Sequence, residues 1–163
     1  MRRMTVSACV DAAAAVVWAH LSRLDQIHVW TDLIHDSRTS GACSMGVGAE
    51  RSCEFGRSRS NHEHVIAWDE GRSFAHESTD APMMRLSRSA WSVTPMGERA
   101  QVRSEAEMEF KGGLLGRILG WLLVPVLARL LPNPLTKFKF WAESGRPYEG
   151  KASPLPVPVA FCL

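Results

Sequence analysis

Residues 99–110 have the sequence RAQVRSEAEMEF, and after Lys111-Gly112-Gly113 the chain continues as LLGRILGWLLVPVLARLL from residue 114 to 131. In the first stretch, the even-numbered residues are small or apolar and the odd-numbered residues are polar or charged, which predicts a β-strand with one covered face. The second stretch is apolar nearly all round, which predicts a helix that is buried or covers something hydrophobic. The junction therefore predicts a sheet face that meets an apolar helical segment.

Upstream of residue 99, short strand patterns alternate with turn signals such as Gly46-Val47-Gly48 and Asp69-Glu70-Gly71. Asp11 and Asp25 are predicted to cap two short helices that follow the first strand. The predicted strands are Met4–Val10, Asp32–Ser40, Ala49–Phe55, His62–Trp68, Ser73–Thr79, Leu86–Thr94 and Arg99–Phe110. Their spacing predicts an antiparallel meander, so the fold class is α+β with six or seven strands.

Downstream, prolines divide the apolar segment from a final helix. Pro125 is predicted to kink or break the segment, and Pro132 to stop it. Asn133 then caps a helix that has Pro134 in its first position and runs to about Glu143. The folded domain is thus expected over residues 1–144. The Pro-rich tail, residues 145–163, is expected to be disordered.

Composition excludes several classes of function. The net charge is only +2 and the arginines are scattered, so we expect no nucleic-acid partner. The longest apolar run, Ile118 to Ala128, has 11 residues, whereas a membrane-spanning helix needs about 20. An N-terminal stretch superficially resembles a signal peptide, but Asp11 interrupts its apolar part, so we expect no export. The four cysteines form no CxxC pair, which predicts free thiols in a reducing cytoplasm.

His62 and His64 are two residues apart on a predicted strand, which places both on one face together with Ile66 and Trp68. One interpretation is an acid–base or metal pair inside a cavity. The other is two wet histidines at the mouth of a hairpin. No third ligand stands at metal-binding spacing, so we expect no metal.

His76 and Arg51 are further candidates for chemistry. His76 shares a strand face with Phe74 and faces the interior if Phe74 does, which makes it the better general base; the alternative is a core histidine with satisfied hydrogen bonds. Arg51 can hold a carboxylate or enolate oxygen. The favoured alternative for Arg51 is an ion pair with a neighbouring Glu.

Two other segments are expected to border a ligand. His28 and Trp30, in the second short helix, can orient an aromatic molecule; alternatively, Trp30 plugs one end of the sheet. Met83 follows Pro82 in a loop, where a flexible thioether side chain can line an adaptable entrance.

A set of residues in order along about residues 4–144 carries a resemblance to a known superfamily. These residues are Val10-Asp11-Ala12, Val17-Trp18, Leu21, Asp25, Trp30, Gly46-Val47-Gly48-Ala49, Arg51, Glu63-His64-Val65, Trp68-Asp69, Phe74, Trp91, Val93-Thr94-Pro95, Gly97, Leu135-Thr136-Lys137-Phe138-Lys139 and Glu143. The chain resembles the START-like helix-grip superfamily (SRPBCC), in its polyketide cyclase/dehydrase-like branch. The resemblance implies an antiparallel sheet wrapped around a C-terminal helix, with a hydrophobic cavity between them. Here Pro125 and Pro132-Asn133-Pro134 depart from the single long helix of that family.

We therefore predict a protein that binds a small hydrophobic molecule, aromatic or polycyclic, in an internal cavity. It acts as a binder alone or as a polyketide cyclase/dehydrase-like enzyme, with His76 or His64 as general base and Arg51 or Ser104 holding an oxygen. The alternative is a non-catalytic lipid carrier, or a domain that uses residues 114–131 in a homodimer or, less favoured, at a membrane. No cofactor is expected. The candidate ligand contacts are His28, Trp30, Phe55, Trp68, Phe74, Met83, Ser104, Met108, Trp121 and Phe138.

Overall fold

The computed structural model describes residues 2–32, 34–41, 43–55, 59–78, 80, 84–114, 116, 118, 120–122 and 132–149. Its elements are β1 (Arg2–Val10), α1 (Ala14–Leu21), a 3₁₀ helix (Leu24–Val29), β2 (Asp36–Ser40), β3 (Glu50–Phe55), β4 (Arg59–Asp69), β5 (Ser73–Ser78), β6 (Met84–Met96), β7 (Arg99–Phe110) and α2 (Pro132–Ser144). The described residues between 113 and 122 are also helical.

The seven strands form one antiparallel sheet in the order β1-β7-β6-β5-β4-β3-β2. β2 to β7 form the predicted meander, and β1 closes the sheet by pairing with β7. Gly71 and Gly97 have positive φ values of 79° and 70° at two of the tight turns, a conformation that a side chain disfavours. The predicted α+β helix-grip fold is confirmed. The largest displacement of a strand end is in β2, which begins at Asp36 rather than Asp32.

The core lies between the inner face of the sheet and the helices. α2 contributes Leu135, Phe138 and Trp141, which pack in one cluster with inward residues of β1, β6 and β7 and with α1. The predicted final helix is present, but it begins at Pro132, so that both of its prolines lie in the first turn. Proline fits there because the first amide groups of a helix have no intrahelical acceptor. The break predicted at Pro125 lies outside the described residues.

The predicted helix caps are wrong. α1 begins after Ala13, and no side chain caps it. The carboxylate of Asp11 instead pairs with Arg99, 2.5 Å away, and its backbone N–H donates to Glu143 at 2.6 Å. Asp11 therefore ties the end of β1 to the start of β7 and the end of α2. Asp25 lies inside the 3₁₀ helix rather than before it.

A β-bulge at Ile66 interrupts β4. The register of β4 against β5 shifts between Val65 and Ala67, so that Ile66 is an extra residue on its strand. Because successive side chains point to opposite faces, one extra residue reverses the alternation. Before the bulge the odd-numbered residues of β4 face the interior, and beyond it the even-numbered residue Trp68 does so.

Candidate functional site

A cavity of about 150 Å³ lies between the inner face of the sheet, the 3₁₀ helix and the start of α2. Most of its wall is apolar, and the hydroxyl-bearing residues Thr31, Ser89 and Ser104 also line it. The complete lining consists of Met4, Val6, Ile27, Trp30, Thr31, Ser89, Trp91, Ser104, Ala106, Pro134 and Leu135.

Small residues on β6 and β7 create this space. In the sheet register Ser89 pairs with Ala106, and Ser104 pairs with Trp91. The rings of Trp30 and Trp91 meet edge to face at 5.4 Å and close one side. The small-residue face predicted for residues 100–110 thus forms part of the cavity wall.

A buried cluster of ionisable groups lies on the same inner face, toward β3. Arg51 and Glu63 are directly paired across β3 and β4 and form an ion pair. Arg51 Nε donates to Glu63 Oε2 at 3.1 Å, and Arg51 Nη1 donates to the carbonyl of Leu24 at 3.2 Å. Asn61 Nδ2 donates to Glu63 Oε1 at 2.9 Å, and His76 Nε2 lies 3.3 Å from Glu63 Oε2. The favoured prediction for Arg51, an ion pair with a neighbouring Glu, is confirmed.

Burial and charge set the protonation states of this cluster. The pKa of His76 is lowered to about 4, chiefly by burial; Glu63 opposes this shift, and the charge of Arg51 contributes to it. Burial alone raises the pKa of Glu63, but His76 and the Arg51 guanidinium, with hydrogen bonds from Arg51 and Asn61, bring it below its ordinary value. At neutral pH the cluster therefore contains a carboxylate, a guanidinium and a neutral imidazole.

His76 connects this cluster to the cavity wall. It is buried and pairs in register with Ser89, which lines the cavity on the neighbouring strand. Adjacent strands are about 4.8 Å apart, so the imidazole lies one strand away from the cavity wall. His76 Nδ1 is buried without a hydrogen-bond partner, a costly arrangement that a bound polar group can relieve.

Three residues of this region escaped the sequence analysis as site residues: Asn61, Glu63 and Ser78. The hydroxyl of Ser78 contacts the side chains of Asn61 and Asp80. The place of Asn61 and Glu63 on the same face as Trp68 depends on the bulge at Ile66, for which the sequence carries no signal that we recognise, whereas Ser78 shares the buried face of β5 with Phe74 and His76. Burial raises the pKa of nearby Cys53 to about 11, so its thiol stays protonated at neutral pH.

The structure places His62 and His64 on the outer face. Both are exposed, His62 at 2.8 Å from Asp80 and His64 at 3.1 Å from Glu77. Trp68, by contrast, lies inside. The prediction that both histidines share a face with Trp68 is wrong, because the bulge at Ile66 lies between the histidines and Trp68 and reverses the alternation of side chains.

The other predicted ligand contacts are dispersed. Trp30 and Ser104 line the cavity, and Phe138 packs against Trp30 at 5.4 Å between ring centroids. Met108 lines a separate hollow of about 830 Å³ at the end of β7, distant from the ionisable cluster. The placement of the rest is as follows: His28 and Trp121 are exposed, Phe55 is half-buried near the end of β3, and Met83 lies outside the described residues.

Trp68 and Phe74 belong to an aromatic cluster beneath α1 rather than to the cavity wall. Their rings stack at 5.7 Å, and Trp18 meets Trp68 edge to face at 5.3 Å. Glu70 accepts hydrogen bonds from both indoles, from Trp18 at 2.9 Å and from Trp68 at 2.7 Å. This cluster fixes α1 to the β4–β5 turn.

Within the described part of the chain, no group of three or more His, Cys, Asp or Glu residues is arranged to hold a metal ion. Among the same residues, no helix is both long and apolar enough to cross a membrane.

The sheet, the last helix and the cavity between them together define the class of helix-grip domains that hold a small molecule. The chain belongs to the family described as polyketide cyclase / dehydrase and lipid transport, whose model matches residues 1–139. The resemblance to the SRPBCC superfamily is thereby confirmed. Family and fold support a ligand-binding domain. A search of curated proteins found no match.

Solved structures share the fold at low sequence identity. A protein from Thermobifida fusca is 21% identical with a TM-score of 0.68, over 93% of this chain and 100% of that one. A START superfamily protein from Mycobacterium smegmatis is 15% identical with a TM-score of 0.66, over 82% and 94% of the two chains. The di-domain ARO/CYC StfQ from the steffimycin biosynthetic pathway is 13% identical with a TM-score of 0.69, over 86% and 50%.

Proposed function

We propose that this protein binds a small hydrophobic molecule with one aromatic ring in the cavity between the sheet and α2. The observation that carries the proposal is the size and lining of that cavity: about 150 Å³, largely apolar, with Trp30 and Trp91 at its side. An apolar cavity of about 150 Å³ suffices to take up benzene. The hydroxyls of Ser89, Ser104 and Thr31 can pair with one polar substituent.

The same volume favours a single ring over a polycyclic ligand. Pockets for drug-sized molecules measure roughly 300 Å³ or more. The proposed ligand is therefore aromatic, as predicted from the sequence, but has one ring rather than several. The family, described as polyketide cyclase / dehydrase and lipid transport, and the likeness to the di-domain ARO/CYC StfQ support binding of a hydrophobic ligand in general.

Acid–base catalysis, as in polyketide cyclases and dehydrases, is the second candidate function. It is favoured by the unpartnered Nδ1 of His76, one strand from the cavity wall, which can accept a proton from a molecule that reaches it directly or through one water. Binding comes first because a pKa of about 4 makes His76 a weak base at neutral pH. Exchange of the methyl protons of acetophenone for deuterium in D₂O tests the catalytic proposal. Exchange by the wild type that is lost in His76→Gln supports catalysis. Binding of acetophenone without exchange means that the protein only binds its ligand.

We also propose that the protein is located in the cytoplasm. Cys9, Cys43 and Cys53 are free thiols in the structure, as a reducing compartment favours.

Titration of the protein with phenol, indole and naphthalene tests the binding proposal. We expect the one-ring probe to bind best. At a concentration of about 100 times Kd, binding adds about 2.7 kcal/mol to stability, which raises Tm by roughly 5–10 °C. Ser89→Leu places a larger side chain in the cavity and should abolish the shift.

Ser92→Leu is the matched control. Ser92 is on the same strand, β6, but its side chain points to the opposite face, so this variant should bind phenol as the wild type does. The proposal fails if the wild type binds none of the probes, or if Ser89→Leu binds them unchanged.

A further inference from the structure

A ridge of exposed apolar side chains runs along the helical residues that follow β7. Leu114, Ile118, Trp121 and Leu122 are 71%, 50%, 65% and 56% exposed. Their spacing of four, three and one residues puts them on one face of a helix. Scattered exposed apolar residues are ordinary, but a contiguous ridge of four marks an interaction surface. We call these four residues the apolar ridge.

Two glycines lie on the opposite face of the same helical residues. Gly116 and Gly120 are buried, four residues apart. A Cβ atom added at Gly116 would collide with the backbone carbonyls of Lys111 and Phe110. At Gly116 the helical segment thus passes close to the end of β7, whereas the side chains of the apolar ridge are exposed.

The segment of sequence that carries the apolar ridge has a positive charge. Residues 111–131 contain Lys111, Arg117 and Arg129 and no acidic residue, a charge of +3 in a chain whose total is only +2. Lys111 is exposed immediately before the ridge. A helix with exposed Trp and aliphatic side chains on one face, preceded by an exposed lysine, matches the chemistry of an anionic bilayer surface.

The hollow at the end of β7 borders the same helical residues. Leu114 of the ridge lines it, together with Gly116 and Gly120, and it extends to Met108 and Phe110 of β7. A surface in contact with the apolar ridge would therefore adjoin this hollow, which is about 830 Å³ in volume.

We propose that the apolar ridge docks this protein onto the surface of anionic lipid membranes. Ridge side chains enter the interfacial region of the bilayer, and Lys111 faces the lipid phosphates. The proposal does not depend on the identity of the ligand in the cavity beside α2, because none of the ridge residues lines that cavity.

Vesicle flotation of the full chain tests this proposal. The wild type should float with vesicles of phosphatidylcholine mixed with phosphatidylglycerol, and binding should weaken as salt is added. The double variant Trp121→Ser, Leu122→Ser should bind about tenfold or more weakly, because two inserted side chains are lost. Lys111→Glu should weaken binding to the anionic vesicles and leave pure phosphatidylcholine vesicles unaffected.

A matched double variant supplies the control. Met45 and Val47 are 56% and 65% exposed in the loop between β2 and β3, away from the ridge. Met45→Ser, Val47→Ser should bind vesicles as the wild type does, and circular dichroism should show every variant folded. Absence of wild-type vesicle binding, or equal loss in both double variants, overturns the proposal.

Light scattering separates a membrane from a second copy of the chain. If the wild type is a dimer in solution, Trp121→Ser, Leu122→Ser is a monomer, and neither binds vesicles, the ridge is an interface between chains and the membrane proposal is wrong. Phenol titration is independent of this result, so failure of the docking proposal leaves the binding proposal standing, and the reverse also holds.

Discussion

At the scale of single residues, the buried group Arg51, Glu63 and His76 distinguishes this core from an apolar one. A buried ion pair is tolerated only when further hydrogen bonds satisfy both partners. Glu63 meets that condition by accepting from both Arg51 and Asn61. His76 is a neutral neighbour of this pair, and its Nδ1 has no hydrogen-bond partner. His76 is therefore the member of the group whose protonation should respond to a ligand.

The low pKa of His76 predicts a pH-dependent stability. Burial lowers this pKa from 6.5 to about 4. Between those values the unfolded chain binds a proton that the folded chain does not, so the free energy of unfolding falls as the pH drops from about 6.5 to about 4, by about 3 kcal/mol. Glu63 adds to the loss only at lower pH. Its pKa in the folded chain lies below the ordinary value of 4.5, so its contribution to stability is present above pH 4.5 and is lost as the pH falls below that value. Urea denaturation at a series of pH values measures the dependence.

His76→Gln should flatten this pH dependence between pH 6.5 and 4. His35→Gln, at an exposed position before β2, should keep the slope of the wild type. An unchanged slope in His76→Gln would show that other groups cause it.

Residue identity alone predicted part of this group. An arginine on a strand beside acidic residues predicted an ion pair, and the pair exists. The partner is Glu63 because the β3–β4 register sets Arg51 opposite it. The inclusion of Asn61 and His76 depends on the bulge and on the β4–β5 register, which arise from tertiary pairing rather than from local sequence.

At the scale of elements, α2 is the helix that closes the core. Phe138 is fully buried and contacts Trp30 and Trp141, whereas Phe140, two residues on, is half-buried and contacts Tyr148. Phe138→Ala should lower the free energy of unfolding by about 3–5 kcal/mol, because it removes a large buried ring and leaves a space. Thermal or urea denaturation checks this.

Phe140→Ala is the comparison within the same helix. Its effect should be roughly 1 kcal/mol, since a partly exposed side chain loses less contact with the core. Equal losses in the two variants would mean that α2 does not close the core in the way described.

Strand existence was predictable from turn residues and alternation, and β7 matches the predicted span Arg99–Phe110. The face of the sheet to which each side chain points was not predictable in every strand. In β4 the alternation of side chains looks regular in sequence, and only pairing with β5 reveals Ile66 as an extra residue. The caps at Asp11 and Asp25 failed for a similar reason, since Asp11 pairs with the distant Arg99 instead.

At the scale of the whole molecule, the family match and the sheet define where the domain extends. The family model matches residues 1–139, and the described structure continues through α2 to residue 149. The predicted domain, residues 1–144, remains a prediction, and most of the predicted tail lies outside the described residues. Topology was accessible from sequence because six strands follow one another in a meander, which leaves few alternative orders.

Truncation tests the extent of the domain. A chain that ends at residue 149 should melt within a few degrees of the full chain, because the sheet, the core cluster and α2 all lie before that point. A chain that ends at residue 131 should not fold cooperatively, because it lacks Leu135, Phe138 and Trp141. A much lower melting temperature for the chain that ends at residue 149 would place essential contacts in the tail.

The bulge at Ile66 also governs how this chain can be compared with others. Along β4, inside positions are odd-numbered as far as Val65 and even-numbered from Trp68 onward. An alignment to a relative whose strand lacks the extra residue must open a gap of one position there. If the gap is misplaced toward the start of β4, the buried Glu63 is equated with a solvent-facing position, and the partner of Arg51 would be judged absent in relatives that possess it.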